Sequence, residues 1–343
     1  MKTLYIKDLQ KGQVFDSETF AIFDKKQSED KNGNPYYDLV IGDKTGRIPA
    51  KIWSTALPKV DRKAITAGKV VKLSGKVDEY RGAPQLVIYS LESVDESSLE
   101  EFIESSEFDA DEMYAELLEE VEKAEDEEIK AVLLEILNDT EIKRKLKYWP
   151  ASTFIHHGFR SGFLQHILEM IAISKGLERF YPNVDYSILL AGIILHDLGK
   201  LDEIDATNIS LPYSKKGNLL GHVYLGTELF NSYAKAKMDE DKLIHIKHLI
   251  LSHHGKYEYG SPVNPATTEA LMLSYIDETS AKPRSAYTIQ SQMEDDEDFS
   301  KRIWYLENVK IWNYKKGPII NLNNGVHDDN DEEDSEDDQK SLV

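Results

Sequence analysis

Seven residues of types that bind metal ions, His166, His196, Asp197, His222, His253, His254 and Asp277, recur in the order H…HD…H…HH…D within a 343-residue chain that contains no cysteine. Imidazole and carboxylate at this density, without sulfur, suit a hard or borderline divalent ion. The adjacent pair His196-Asp197 is the centre of the pattern. A carboxylate can bridge two ions while its neighbouring imidazole binds one. Ions held in this way bring the pKa of a bound water towards neutrality and suit attack on a phosphorus centre. A lone buried His-Asp pair is more often a hydrogen-bonded structural pair, and each other histidine alone is more often a satisfied polar residue. The ordered series is what specifies a metal site.

A natural division gives His166, His196, Asp197 and Asp277 to one ion. Asp197 as a bridge, His222, and His253 or His254 go to the other. Two successive histidines on a helix point in different directions, so one of that pair is free to meet substrate instead. Lys200 follows Gly199, which can terminate the preceding helix. A cation there can hold a phosphate oxygen or stabilise charge developing in the transition state. The catalytic expectation is therefore Asp197 and Lys200, with His157 added as a rim phosphate contact or proton donor. His245 and His248 read as surface residues.

These residues need helices to present them. Blocks such as GFLQHILEMIAISKGLERF, YSILLAGIILHDLGK, VYLGTELFNSYAKAK, KLIHIKHLILSHHG and ATTEALMLSYIDETSAK show helical periodicity and end in polar, Gly or Pro turns. An all-helical domain is expected over residues 151–315, with YSILLAGIILHDLGK, apolar on nearly every face, at its centre. His222 is expected at a loop-to-helix junction and Asp277 after an apolar helical run. Residues 93–150 are rich in Glu, Leu, Ala and Lys and read as a linker of two or more amphipathic helices. Residues 1–92 are different. Short β-rich runs are broken by NGNP, GDKTG and EYRGAP, which supply the residues that tight turns need. Five strands in so short a span fit a small Greek-key barrel. The expected class is multidomain, β then α.

The net charge of −21 argues at first against a nucleic-acid ligand. Its distribution softens that objection, because residues 1–90 hold 16 Lys/Arg against 11 Asp/Glu, a local +5. Tyr36, Trp53, Tyr80 and Arg81, near Lys44 and Lys51, are the kind of side chains on which single strands stack and past which they thread. At least half of these rings are expected simply to pack the barrel or its rim. Residues 325–343 form a low-complexity acidic tail, expected to be disordered. No apolar run reaches membrane-spanning length, and the charged N-terminus lacks a signal-peptide core. The absence of cysteine excludes disulfides and fits a cytoplasmic protein.

The series H…HDLGK…GH…HHG…D resembles the HD-domain metal-dependent phosphohydrolases. The stretches GIILHDLGK, GNLLGH and LSHHGKYEYGSPV, the DKTGRIPAKIW and YRG segments of the barrel, and LEN at 306–308 look like the YhaM-type 3′–5′ exoribonucleases. The resemblance spans roughly residues 5–315. Ser161 departs from it, standing where relatives more often carry a second glycine before Gly162. The resemblance implies an OB-fold barrel joined to an HD domain, with metal-dependent removal of nucleotides from the 3′ end of single-stranded RNA by a metal-activated hydroxide. Single-stranded DNA would be a poorer or parallel substrate. Two divalent ions are implied, manganese first, with magnesium, iron or cobalt as alternatives. The ligand roles fall on His166, His196, Asp197, Asp277, His222 and His253/His254, and the phosphate contact on Lys200. A homo-oligomer is compatible with this reading. Two rivals stand beside it: an HD phosphohydrolase acting on free or cyclic nucleotides, which leaves the barrel unexplained, and a non-catalytic single-strand-binding protein, against which the intact ligand series speaks.

Overall fold

The computed structural model describes residues 2–80, 83–94, 101–153, 157–291, 293 and 297–314. Arg81 and the acidic tail lie outside the described residues. The described residues up to Thr288 form one compact unit, and those from Ile289 to Tyr314 form a second.

The first unit opens with five strands, β1 (Val14–Glu29), β2 (Pro35–Asp43), β3 (Gly46–Ile52), β4 (Val70–Tyr80) and β5 (Ala83–Ser93). They close in the order β1-β2-β3-β5-β4, with β3 and β5 parallel and β4 returning antiparallel to β1. Closure gives each described strand a partner on both sides, and this Greek-key barrel is the expected OB-fold. Alternation drives it. In β3, Ile48, Ala50 and Ile52 turn inward to meet Phe20, Ile22, Ile41, Leu73, Leu86 and Ile88, while Arg47 and Lys51 turn outward. Irregular register at Phe15/Glu18 and Ile22/Asp24 bends the long strand β1 around the barrel.

Three helices follow: α1 (Ala110–Glu122), α2 (Glu127–Asn138) and α3 (Thr140–Leu146). Each begins at an aspartate, Asp109, Asp126 or Asp139, whose carboxylate accepts from the first free N–H groups. Their apolar stripes, including Leu117, Val121, Leu133 and Ile136, enter the same core as the helices that carry the histidines. Those are α4 (Gly162–Glu178), α5 (Tyr186–Leu195), α6 (Lys200–Glu203), α7 (Lys215–Ala234), α8 (Glu240–Ser252) and α9 (Thr268–Ser291). Helix α5 is apolar on all sides and packs against α2, α4 and α8, as an all-round apolar helix must.

Two details differ from the sequence expectations. Gly199 does not act as a left-handed helix cap; it has right-handed angles and opens α6. Asp277 lies on α9 just beyond the apolar run ALMLSYI, and the helix continues to Ser291. The helical reading also stops there. In the second unit Phe299 bridges Trp312 and Ile303 bridges Val309, around a short 3-10 turn at Trp304–Leu306. Left-handed backbone at Glu307 and Asn308 makes the reversal.

Barrel and helices meet through a small apolar cluster of Ala21 and Val70 from the barrel with Phe102 and Ile209. Gly68 has φ +82°, and a Cβ there would lie 1.9 Å from Asn208 Oδ1. The positive φ favours glycine here, and any other side chain would also have to displace the Asn208 amide.

Candidate metal centre and nucleic-acid face

Five elements converge on Asp197. His166 comes from α4, His196 and Asp197 from the end of α5, His222 from α7, His253 and His254 from the end of α8, and Asp277 from α9. Helix α7 breaks at Gly221, which has φ 72° and ψ 155°, so His222 opens its second segment at the expected junction. The sequence-predicted ligands are brought together. His166, His196 and Asp197 place one ligand atom each within 4.8 Å of one another, and Asp197, His222, His253 and His254 do the same. Asp197 is common to both groups. Asp277 Oδ1 joins the first, 3.2 Å from His166 Nε2.

The orientation of the imidazoles is more telling than their proximity. In four of them Nδ1 is engaged on the side away from the centre. His196 Nδ1 lies 2.8 Å from the Ile193 carbonyl and His253 Nδ1 2.7 Å from the Ile250 carbonyl. His222 Nδ1 meets the Glu203 carboxylate at 3.0 Å, and His166 Nδ1 meets Ser280 Oγ at 2.9 Å. A carbonyl or carboxylate can only accept, so Nδ1 carries the proton in at least His196, His253 and His222. Nε2 then presents its lone pair inward. The inward atoms crowd Asp197: His196 Nε2 is 3.3 Å from Oδ2, and His222 and His253 Nε2 are 3.3 Å and 3.5 Å from Oδ1. His196 Nε2, His253 Nε2 and Asp197 Oδ1 are buried without a hydrogen-bond partner. Buried polar atoms normally find partners, and lone pairs turned to one point with outward Nδ1–H support are what a divalent cation binds. The residues fit such an ion.

The electrostatics agree at three of the rings, whereas at His196 the Asp197 carboxylate overcomes burial and raises the imidazole pKa. Burial holds His166 and His253 below the ordinary imidazole range, and burial together with His253 brings His254 to about 3. Neutral imidazoles are the ligand form. Burial alone would raise the Asp197 carboxyl, but Lys200 and His196 outweigh it and keep it ionised. Lys200 Nζ lies 2.5 Å from Asp197 Oδ2, and that carboxylate, overcoming burial, keeps the ammonium charged. His166, His196, Asp197 and His253 are almost fully buried, whereas His222 and His254 are half-buried and form the open side of the cluster.

Gly199 makes this geometry possible. A Cβ on it would lie 2.0 Å from the carbonyl oxygen of His222, so α6 and the His222 segment touch backbone to backbone. Ser161, the departure noted above, has φ 65°, a conformation in which glycine is unstrained, and its Oγ bonds the Lys147 carbonyl at 2.7 Å.

His157 is placed differently from a rim residue. It is buried with φ 47°, its Nε2 is 3.0 Å from Glu169 Oε2, and its ring centroid is 5.2 Å from that of His166. His245 and His248 are structural partners, of Thr267 and Glu269 and of the Ala266 N–H respectively. Sequence reasoning missed Glu203, which accepts from both the backbone N–H and Nδ1 of His222, and missed Ser280 and Glu169 behind His166. A signal was present, since Glu169 and Ser280 each stand one helical turn beyond a ligand, His166 and Asp277.

On the barrel, Tyr36 and Trp53 stand side by side at the ends of β2 and β3, with centroids 5.2 Å apart. Lys51 Nζ lies 4.6 Å and 5.2 Å from the two rings and pairs with Asp38. Tyr80, exposed, ends β4 beside the β4–β5 turn. The β2–β3 face and the β4–β5 loop are where OB barrels take oligonucleotides.

Known proteins match both parts. Residues 163–282 match the family described as the HD domain, and residues 11–94 match the OB-fold nucleic acid binding domain. The 3′–5′ exoribonuclease YhaM of Oceanobacillus iheyensis is 30% identical over 301 residues, covering 87% of this chain and 93% of that one. Its namesake in Bacillus subtilis is 33% identical over 285 residues, covering 82% and 89%. That of Halalkalibacterium halodurans is 32% identical over 316 residues, covering 90% and 97%.

Proposed function

The chain belongs to the YhaM family of 3′–5′ exoribonucleases, and on that premise we propose that it removes nucleotides one at a time from the 3′ end of single-stranded RNA as 5′-mononucleotides. The observation that carries the reading is the set of imidazoles turned inward on Asp197, each supported from behind at Nδ1. His166, His196, Asp197 and Asp277 would hold one divalent ion, and Asp197, His222, His253 and His254 a second, with manganese the first candidate. Ions bound there would polarise the phosphoryl oxygens and lower the pKa of an attacking water towards neutrality.

The chain's own groups do the rest. Asp197 fixes the two ligand sets relative to one another. Lys200, charged and close to the cluster, meets the phosphate and offsets negative charge as the bond to the 3′-oxygen breaks. The scissile phosphate reaches the cluster from its His222/His254 side. Tyr36, Trp53 and Lys51, with Tyr80, grip nucleotides upstream, where each stacked base contributes about 1–3 kcal/mol. Stacking and backbone contacts of this kind also admit single-stranded DNA. Among the described residues no helix is long and apolar enough to cross a membrane, and the cysteine-free composition supports a cytoplasmic setting.

The test is a time course on 5′-labelled single-stranded RNA with manganese, comparing wild type with Asp197→Ala. A ladder shortening from the 3′ end in single-nucleotide steps, absent in the folded variant, is expected. Internal cuts, or cleavage that persists in the variant, would overturn the proposal. No cleavage by the wild type would move the substrate to free or cyclic nucleotides.

A further inference from the structure

Behind His166, on the side away from the cluster, lies a polar assembly that the chemistry above does not use. Glu169 stands one turn along α4 from His166. Its Oε1 accepts from Gln165 Nε2 at 3.0 Å and from Arg284. Its Oε2 lies 3.0 Å from His157 Nε2 and accepts from Ser280 Oγ at 2.9 Å. Ser280, buried on α9 one turn beyond Asp277, places the same Oγ 2.9 Å from His166 Nδ1.

Proton counting then fixes the direction of the bonds on the Glu169 side of His166, whose Nε2 faces the Asp277 carboxylate 3.2 Å away. Burial would favour the neutral carboxyl, but His157 and Arg284 hold Glu169 ionised, with its pKa at about 2. An ionised carboxylate only accepts, and a serine hydroxyl has one proton. If Ser280 gave that proton to His166, two bare oxygens would face each other 2.9 Å apart. The proton therefore lies on the line to Glu169, and Ser280 accepts from His166. An imidazole that donates at Nδ1 has its lone pair at Nε2.

We infer that Ser280, oriented by Glu169, is a positioning residue that fixes His166 as the Nδ1–H tautomer and so turns Nε2 toward Asp277 and the metal cluster. His157 and Arg284 belong to the same support, holding the carboxylate in place. Gly162 allows the His157 backbone to reach it, since a Cβ there would lie 2.2 Å from the His157 carbonyl oxygen. Two helices thus each supply a ligand, His166 or Asp277, and, one turn further on, a member of the support behind His166. The inference rests on the reading of His166 as a metal ligand.

Two measurements test it. In the metal-free wild type, two-bond 15N spectra of the histidine rings at neutral pH should show His166 protonated at Nδ1; the Nε2–H form would overturn the inference without any variant. Manganese isotherms on the full chain should show Ser280→Ala binding one ion roughly 10–100-fold more weakly. Ser280→Thr, which keeps the hydroxyl, should stay close to wild type. His166→Ala separates the two levels. If it leaves manganese binding intact, the ligand reading itself falls. If it abolishes one ion while Ser280→Ala binds like wild type, only the positioning role falls.

Discussion

Replacing Gly199 with alanine adds one methyl group and tests how closely the cluster depends on backbone contact. The new Cβ would lie 2.0 Å from the His222 carbonyl oxygen, 2.5 Å from the Gly226 nitrogen and 2.8 Å from the His222 carbonyl carbon. All three are backbone atoms, so no side-chain rotation relieves the clash. Heavy atoms at ordinary contact sit roughly 3.5–4.0 Å apart, so α6 and the His222 segment must separate by more than about 1 Å. Overpacking of this kind destabilises by ~1–3 kcal/mol, which a chain of this size survives. Displacement of the reacting geometry by ~1 Å lowers activity by about 100-fold. Because His222 moves with its carbonyl, affinity for one manganese ion should fall in parallel. Gly176→Ala is the control. It lies exposed on α4 with nothing within 4 Å of where its new methyl would sit, so it should stabilise by about 0.5–1 kcal/mol and leave turnover unchanged. The assay combines urea unfolding, manganese isotherms and the labelled-RNA time course on both variants. Wild-type turnover and metal affinity in Gly199→Ala, or equal losses in the two variants, would refute the reasoning.

Glu203→Ala removes both acceptors of His222 and should weaken one manganese site roughly 10–100-fold; an unchanged isotherm would dismiss Glu203 as a support. Trp53→Ala should lower affinity for long single-stranded RNA by about 1–3 kcal/mol while turnover of a dinucleotide holds, and parallel losses on both substrates would count against stacking at that face. Glu169 has a folded pKa depressed to about 2, so its contribution to stability is fully present above the unfolded carboxyl value of roughly 4.3 and is lost as pH falls through about 2. Urea midpoints of wild type and Glu169→Gln should therefore converge on acidification across that window; a gap that stays constant with pH would show that the charge of Glu169 is not what stabilises.

Much of this was legible because two kinds of signal are local. Alternation in GRIPAKI and all-round apolarity in YSILLAGIILHDLGK each follow from how a single element is buried, so the barrel and the central helix could be read before any packing was known. The ligand series was legible for a different reason: few structural needs place so many imidazoles and carboxylates at the ends of apolar helices. Of the supports, only the one-turn spacing of Glu169 and Ser280 from a ligand was legible. Glu169, Glu203 and Ser280 are ordinary residue types, and they matter only because helix packing brings them behind a particular ring. His157 was misplaced for the same reason, since neither its left-handed backbone nor its burial follows from its neighbours in sequence. The small reversal at 299–312 was also missed, because it is built from isolated bridges and turn geometry instead of a periodic pattern.

The seam between barrel and helices has a practical consequence. Ile209 and Asn208, which meet the barrel at Ala21, Val70 and Gly68, lie in the segment that joins Glu203 to the His222 helix. The barrel is therefore not a detachable accessory on a tether. Truncating the chain before the first helix would uncover an apolar seat and loosen the stretch that holds Glu203 against His222, so a shortened protein would lose its chemistry along with its hold on RNA. Swapping in a foreign OB barrel would meet the same obstacle unless the graft reproduced the Gly68 and Val70 surface. Dissection of this enzyme is better done one side chain at a time than by domains.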